Sequence, residues 1–226
     1  MTEQKRFATI DIRKYKSILC LHGHLPNYEF FKGADIPIIA ADGGANELRP
    51  IGIKPDLIVG DLDSVHPSIL SEIRHLKIDE QDSSDFQKAV QYIVKNSLTP
   101  SIVCGINGGY LDHILNNIGV FMSTNFTLYD ENVIGSVLKK GKYQFSFQRD
   151  TKLSIFGIPR CRISTTGLRW NLTDTTLSFP QCNSSFNRAS SNEILINIAY
   201  GAALMLVYTI PMIDNGLYSY GPETNI

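Results

Sequence analysis

From Tyr15 to Tyr129 the chain alternates short, unbroken apolar runs with longer segments of helical periodicity. That alternation limits this half to a mostly parallel sheet flanked by helices. The runs Ser17–Leu21, Pro37–Ala41, Leu57–Gly60, Ser101–Gly105 and Phe126–Tyr129 are predicted strands. Their apolar residues do not alternate with polar ones, which suits strands covered on both faces. Ser84–Asn96 carries Phe86, Ala89, Val90 and Ile93 at helical spacing, and Leu111–Ser123 carries Ile114, Leu115, Ile118 and Phe121. Both are predicted helices, and right-handed crossovers would connect the parallel strands.

After Val133 the pattern changes. Tyr143–Phe147, Lys152–Ile155, Cys161–Thr165, Leu168–Leu172, Thr176–Phe179 and Ile194–Ala199 read as short strands divided by Gly, Pro, Asn and Asp turns. Such spacing predicts an all-β sandwich or barrel. The most apolar stretch, Ala202–Ile210, is too short to span a bilayer and reads as a further buried strand. The expected architecture is therefore an N-terminal α/β domain with a mostly parallel sheet, over residues 1–135, and a C-terminal β-sandwich domain, over 136–226. The boundary is expected between Asp130 and Gly141.

Composition excludes several classes. With a net charge of −1 the chain has no broad electrostatic footprint for nucleic acid or an anionic membrane. Met1–Arg6 is polar and lacks the apolar core of a signal peptide. Cys20, Cys104, Cys161 and Cys182 show no paired metal-type spacing, and the first two lie inside apolar runs. A reduced, cytoplasmic protein is the simplest expectation.

Four polar clusters interrupt the first half, each at a strand end or a helix start. In Ile58-Val59-Gly60-Asp61-Leu62-Asp63-Ser64 a buried run ends in two carboxylates at the C-terminal edge of the sheet, where α/β folds place ligands. Hard oxygen donors there suit Mg²⁺. A plain alternative is a polar loop in which one Asp caps a helix starting near His66-Pro67. Ala41-Asp42-Gly43-Gly44-Ala45-Asn46 permits close backbone approach to phosphate, or simply a tight turn. In Asp82-Ser83-Ser84-Asp85-Phe86-Gln87-Lys88, Asp82 or Ser83 would cap the following helix, and Asp85 and Lys88 share a face. Gly108-Gly109-Tyr110-Leu111-Asp112-His113 is followed one turn later by Asn116 and Asn117. Each cluster has a structural explanation, but four at one sheet edge argue for a nucleotide–metal site.

In order, "ADGGAN", "PDLIVGDLDS", "DSSDFQKAV", "GGYLDHILNN", "TTGLRWNL" and "SSNE" resemble thiamine pyrophosphokinase. That family typically shows ADGGAN, GDFDS, D-x-T-D-x-x-K, G-G-R-x-D-H/Q, T-T-x-G-L-K-W-x-L and S-T-S-N-E in the same order. The match runs from Ala40 to Glu193. The resemblance implies transfer of the β,γ-pyrophosphoryl group of ATP to thiamine, with Mg²⁺, in a homodimer whose active sites lie between subunits. By similarity Asp61, Asp63 and Asp85 would hold Mg²⁺, and Asp112 would position or activate near the phosphates or thiamine. Asp42, Gly43, Gly44, Asn46, Ser84, Lys88, Gly108, Gly109 and Asn117 would shape the ATP pocket, though Lys88 could equally be a solvated helix lysine. Trp170 reads as a sandwich-core residue, with aromatic stacking on thiamine as the alternative. Ser191 and Asn192 are candidates for thiamine contacts across the dimer.

The departures are specific. Tyr110 stands where the family usually has Arg, removing a guanidinium expected near the phosphates, so either another cation substitutes or nucleotide affinity or kinetics differ. Ser84 keeps the hydroxyl of the family threonine, and Ala189 replaces the first serine of S-T-S-N. Two other readings remain open. "LIVGDLDSV" also resembles the first motif of haloacid dehalogenase-like phosphatases, in which Asp61 would be a nucleophile and Asp63 a general acid. A binding protein that kept the fold and lost turnover is the other. No role is assigned to Asp214–Ile226.

Overall fold

The protein is described here by a computed structural model covering residues 10–209. Met1–Arg6, Ile210 and Asp214–Ile226 lie outside the described residues.

The first half forms β1 (Ser17–Cys20), α1 (Tyr28–Phe31), β2 (Ile38–Ala41), α2 (Gly44–Leu48), β3 (Leu57–Gly60), α3 (Pro67–Leu70), β4 (His75–Lys77), α4 (Asp85–Lys95), β5 (Ser101–Cys104), α5 (Leu111–Ser123) and β6 (Thr127–Asp130). The second half is β7 (Val133–Ser146), β8 (Lys152–Thr166), β9 (Thr175–Ser178), β10 (Ser184–Arg188) and β11 (Glu193–Tyr208). Hydrogen bonds link the strands in the order β4-β3-β2-β1-β5-β6-β7-β11-β8-β10, with β9 on β8. From β4 to β6 every pairing is parallel, and from β6 onward every pairing is antiparallel.

Both faces of the parallel sheet are covered, as its unbroken apolar runs require. Ile18, Cys20, Ile38, Ala40 and Ile58 pack with Phe31, Ala45, Leu48 and Ile69 from the three short helices. Leu19, Ile39, Val59 and Val103 on the opposite face meet Phe86, Ala89 and Ile93 of α4 and Phe121 of α5. Along each strand successive side chains thus feed opposite layers. β2, β3 and β4 step away on one side of β1, while β5 and β6 lie on the other. The order reverses between β1 and β5, so the crevice beyond the C-terminal ends of these strands is a topological switch point.

The all-β half is built from three long strands that bend. In β11, Ile194, Ile196 and Ile198 face the same core as Ala203, Met205 and Val207. The inward set switches from even to odd positions across a register shift between Ile198 and Ala202. A β-bulge is the device that permits this. A Cβ at Gly201 would collide with the Arg160 carbonyl, so glycine is needed where the bent strands touch. Leu204 and Leu206 point the other way, into the core beneath α4 and α5. The same strands therefore wall both cores, and β7 runs through the stretch where the sequence placed a boundary.

Most first-half elements match expectation within a residue or two, including α5. Several differ. Lys152–Ile155 and Cys161–Thr165 are one strand, as are Ile194–Ala199 and the run after Ala202, because bulges rather than turns separate them. Leu168–Leu172 is not a strand. Only Leu168 bridges, to Ala189, while Asn171 and Thr165 side chains accept the Leu168 and Leu172 N–H groups. The cap of α4 is Ser84, not Asp82 or Ser83, because Gln87 completes a capping box with it. His66, not an aspartate, caps α3.

Because the cores share strands, Ile155→Ala, which empties a fully buried position, should cost roughly 2–5 kcal/mol. Urea unfolding followed by far-UV circular dichroism should stay a single transition with a lower midpoint. Two separated transitions would show that the halves unfold independently.

Candidate active site

Three carboxylates converge at the C-terminal edge of the parallel sheet. Asp42 follows β2, Asp61 follows β3, and Asp85 opens α4. The parallel register Ala41↔Val59 sets Asp42 alongside the end of β3, and the Asp42 N–H donates to the Val59 carbonyl at 2.9 Å. One oxygen from each of Asp42, Asp61 and Asp85 lies within 4.8 Å of the others. Gly60 makes the space. A Cβ there would stand 2.8 Å from Asp42 Cβ and 3.0 Å from Asp85 Oδ1.

Like charges at this spacing repel, and the surroundings compensate in part. Lys88, one turn along α4 from Asp85, places Nζ 3.1 Å from Asp85 Oδ1 and 3.8 Å from Asp61 Oδ2. Its side chain is only 2% exposed, so it is a buried counter-charge and not a solvated helix lysine. Burial works against its charge, but the hydrogen bond to Asp85 and the Asp85 and Asp61 carboxylates outweigh it and raise its pKa. Asp61 is held below the ordinary carboxylate value. Its partial burial pushes upward, and is overcome by hydrogen bonds from Gln81 and the Asp63 N–H together with the Lys88 charge. Asp42 shifts the opposite way. Burial and the neighbouring Asp85 charge raise its pKa, against hydrogen bonds from the Gly43 N–H and Ser64. Its Oδ1 is buried with no hydrogen-bond partner among the described residues. A buried carboxylate oxygen left unpaired beside two further carboxylates fits a hard divalent cation.

Asp63 stands outside this trio. Its Oδ1 accepts from the Ser64 hydroxyl at 2.9 Å, and it lines a surface depression with Asn46, Arg49, His66 and Ser68. The Asn46 amide ties the loops after β2 and β3 together, donating to the Ser64 carbonyl at 2.7 Å and accepting from the His66 N–H at 3.0 Å. Gly43 and Gly44 sit at the start of α2. Gly108 and Gly109 take positive φ in the loop between β5 and α5. Asp112 is exposed on the first turn of α5, accepting from the His113 N–H, and Asn117 is half-buried one turn further on.

Trp170 is 55% exposed, which corrects the core reading. Its backbone is clasped by the buried Asn187, whose side chain accepts from the Trp170 N–H and donates to its carbonyl, leaving the ring outside. The Arg169 guanidinium carbon lies 4.8 Å from the ring centroid. Ser191 Oγ is engaged with the Glu193 backbone, and the Asn192 carbonyl accepts from the Phe147 N–H. The Ser190 and Ser191 N–H groups bond the Gly167 carbonyl, tying this segment to the turn that leads into Trp170.

The profile of the thiamin pyrophosphokinase catalytic domain matches residues 29–130, and that of the thiamin pyrophosphokinase vitamin B1 binding domain matches residues 142–201. Thiamine pyrophosphokinase 3 of Oryza sativa subsp. japonica is 30% identical, over 87% of this chain and 86% of its own length. The chain belongs to the thiamine pyrophosphokinase family. Thiamine pyrophosphokinase 1 of the same plant is 31% identical over 70% of this chain and 74% of its own. The fold agrees. Thiamin pyrophosphokinase from Candida albicans superposes with a TM-score of 0.74 at 18% identity, covering 88% of this chain and 90% of that one. The Geobacillus thermodenitrificans protein gives 0.72 at 19%, covering 87% and 98%.

Within this family framework the trio includes Asp42, which the sequence placed among nucleotide contacts. Gln81 and Asn187 were not foreseen. Asp42 had a signal in common with Asp61, since each is a carboxylate directly following a buried strand; Asn187 had none. Asp42→Asn should raise the metal-free Tm by roughly 2–4 °C, as expected for relief of about 1 kcal/mol of repulsion in a chain this size. It should also remove any Mg²⁺-dependent rise in Tm. A Mg²⁺-dependent rise as large as the parent's would take Asp42 out of the metal site.

Proposed function

We propose that this protein transfers the pyrophosphoryl group of ATP to thiamine, giving thiamine diphosphate and AMP. The observation that carries the reading is the Asp42–Asp61–Asp85 trio beside buried Lys88, in a chain matching both the catalytic and the vitamin B1 binding regions of the family. Asp42, Asp61 and Asp85 would hold Mg²⁺. Bound there, the ion would neutralise charge on the phosphate chain.

The chain's own residues do the rest. Lys88 holds Asp85 and Asp61 in place and offsets their repulsion. The thiamine hydroxyl oxygen attacks Pβ, the bond from Pβ to the Pα-bridging oxygen breaks, and AMP leaves with that oxygen. The hydroxyl proton passes to a carboxylate. We assign this to Asp112, which is exposed on α5 and outside the trio. Asp63 and Asn46 shape the rim on the other side, with Gly43, Gly44, Ser84, Gly108, Gly109 and Asn117 around the nucleotide. Trp170 offers a flat exposed ring on which a planar cation already rests, in the form of Arg169, and the thiazolium of thiamine is also a planar cation. Ser191 and Asn192, on the turn that hydrogen-bonds Gly167, would add contacts to thiamine.

In this reading residues 1–135 handle nucleotide and metal, and residues 136–226 handle thiamine and dimerisation. The acceptor is gathered across the two subunits of a homodimer. We place the protein in the cytoplasm, consistent with the free thiols of Cys20, Cys104, Cys161 and Cys182. None of the described helices is long and apolar enough to cross a membrane. A phosphatase nucleophile at Asp61 is disfavoured, because the chain matches both the catalytic and the vitamin B1 binding regions of the thiamine pyrophosphokinase family.

Purified protein supplied with thiamine, ATP and Mg²⁺ should yield AMP and thiamine diphosphate in equal amounts. ADP with thiamine monophosphate would reject attack at Pβ. Asp61→Asn and Asp85→Asn should each lower turnover by roughly two orders of magnitude or more. Near-normal turnover in either at saturating Mg²⁺ would remove that residue from the metal site.

A further inference from the structure

The switch-point crevice between β1 and β5 carries two histidines that the reading above leaves without a role. The loop following β1 runs Leu21-His22-Gly23-His24-Leu25-Pro26. Its backbone is locked to the loop after β5: the Leu21 N–H donates to the Cys104 carbonyl at 2.9 Å, and the His24 N–H to the Asn107 carbonyl at 2.7 Å. The two imidazoles fill the space that glycines leave open. A Cβ at Gly43 would come within 2.5 Å of His22 Nδ1, and one at Gly108 within 2.9 Å of the His24 ring. His22 therefore lies on the turn that opens α2, and His24 lies on the turn before α5. Both are exposed. His22 Nε2 is held 3.3 Å from Glu47 Oε1 of α2.

The loop after β5, Gly105-Ile106-Asn107-Gly108-Gly109-Tyr110, contains no cation. Lys88 is committed to Asp85 and Asp61. Neither supplies a free charged donor to an anion in this crevice, whereas the two imidazoles between the glycine turns can each present an N–H.

We infer that His22 and His24 bind the phosphate chain of the nucleotide in the switch-point crevice, supplying N–H donors where Tyr110 leaves no guanidinium. The inference rests on the pyrophosphokinase reading and adds to it two nucleotide-binding residues on a loop outside the motif set. Glu47 orients the His22 ring, and the interlocked backbones keep both rings at the crevice without a bound ligand.

Titration calorimetry with ATP and Mg²⁺, without thiamine, tests this on the full chain. His22→Ala and His24→Ala should each weaken ATP binding roughly tenfold or more, the scale of a lost hydrogen bond to a charged group. Adenosine, which has no phosphates, should bind each variant as it binds the parent, and the Tm should be unchanged because both side chains are exposed. His24→Gln, which keeps an N–H donor, should lose less than His24→Ala. Adding Tyr110→Arg to His24→Ala should recover ATP affinity. Unchanged ATP affinity in both alanine variants would overturn the inference. So would equal losses for adenosine and ATP, which would mark a change in pocket shape. Absence of ATP binding by the parent chain would overturn the pyrophosphokinase reading as well, whereas binding by the parent and the variants alike would overturn this inference alone.

Discussion

Three carboxylates held within 4.8 Å of one another, with a single buried ammonium beside them, set the terms for the rest of the molecule. Such an arrangement is unfavourable by itself, so the fold has to enforce it. Asp42 is fixed by the parallel pairing of β2 with β3, Asp61 by the end of β3, and Asp85 by the capping box that starts α4. Gly60 removes the one side chain that would stand between them. The opposite shifts of Asp42 and Asp61 express the same conflict. Lys88 and Gln81 satisfy Asp61, while Asp42 keeps an unpartnered oxygen in a buried setting. Local instability of this kind is the expected trade between stability and function.

The parallel half was legible because buried strands announce themselves as apolar runs, and α5 because its periodicity runs unbroken from Leu111 to Ser123. The long bent strands were not. β11 contains a bulge at which the inward face changes parity, and β8 shifts register between Gly157 and Cys161, so a reader following period two sees two short strands in each where there is one. Asp61 could be named from local sequence, whereas Asp85 was named by resemblance, since locally it reads as a helix partner of Lys88. Asp42 needed the strand register, since a carboxylate before Gly-Gly looks like part of a phosphate-binding turn. Trp170 was misread as core because its exposure depends on Asn187, a clasp 17 residues away that no local pattern signals.

The two halves are also joined through shared strands. Val137, Phe156, Leu204 and Leu206 pack under the helices of the α/β layer, while Leu138, Ile155, Ala203 and Met205 face the β core. One set of strands thus transmits packing between the layer that carries the carboxylates and the one that carries Trp170. The turns holding Trp170 and Ser191 are likewise tied to each other by backbone hydrogen bonds.

The most direct test of the account is where a divalent ion sits. Crystals grown with Mn²⁺ as a substitute for Mg²⁺ should show an anomalous peak contacted by Asp42, Asp61 and Asp85, with Lys88 still beside Asp85. A peak held by Asp61 and Asp63, with the buried oxygen of Asp42 making no contact to the ion, would contradict it.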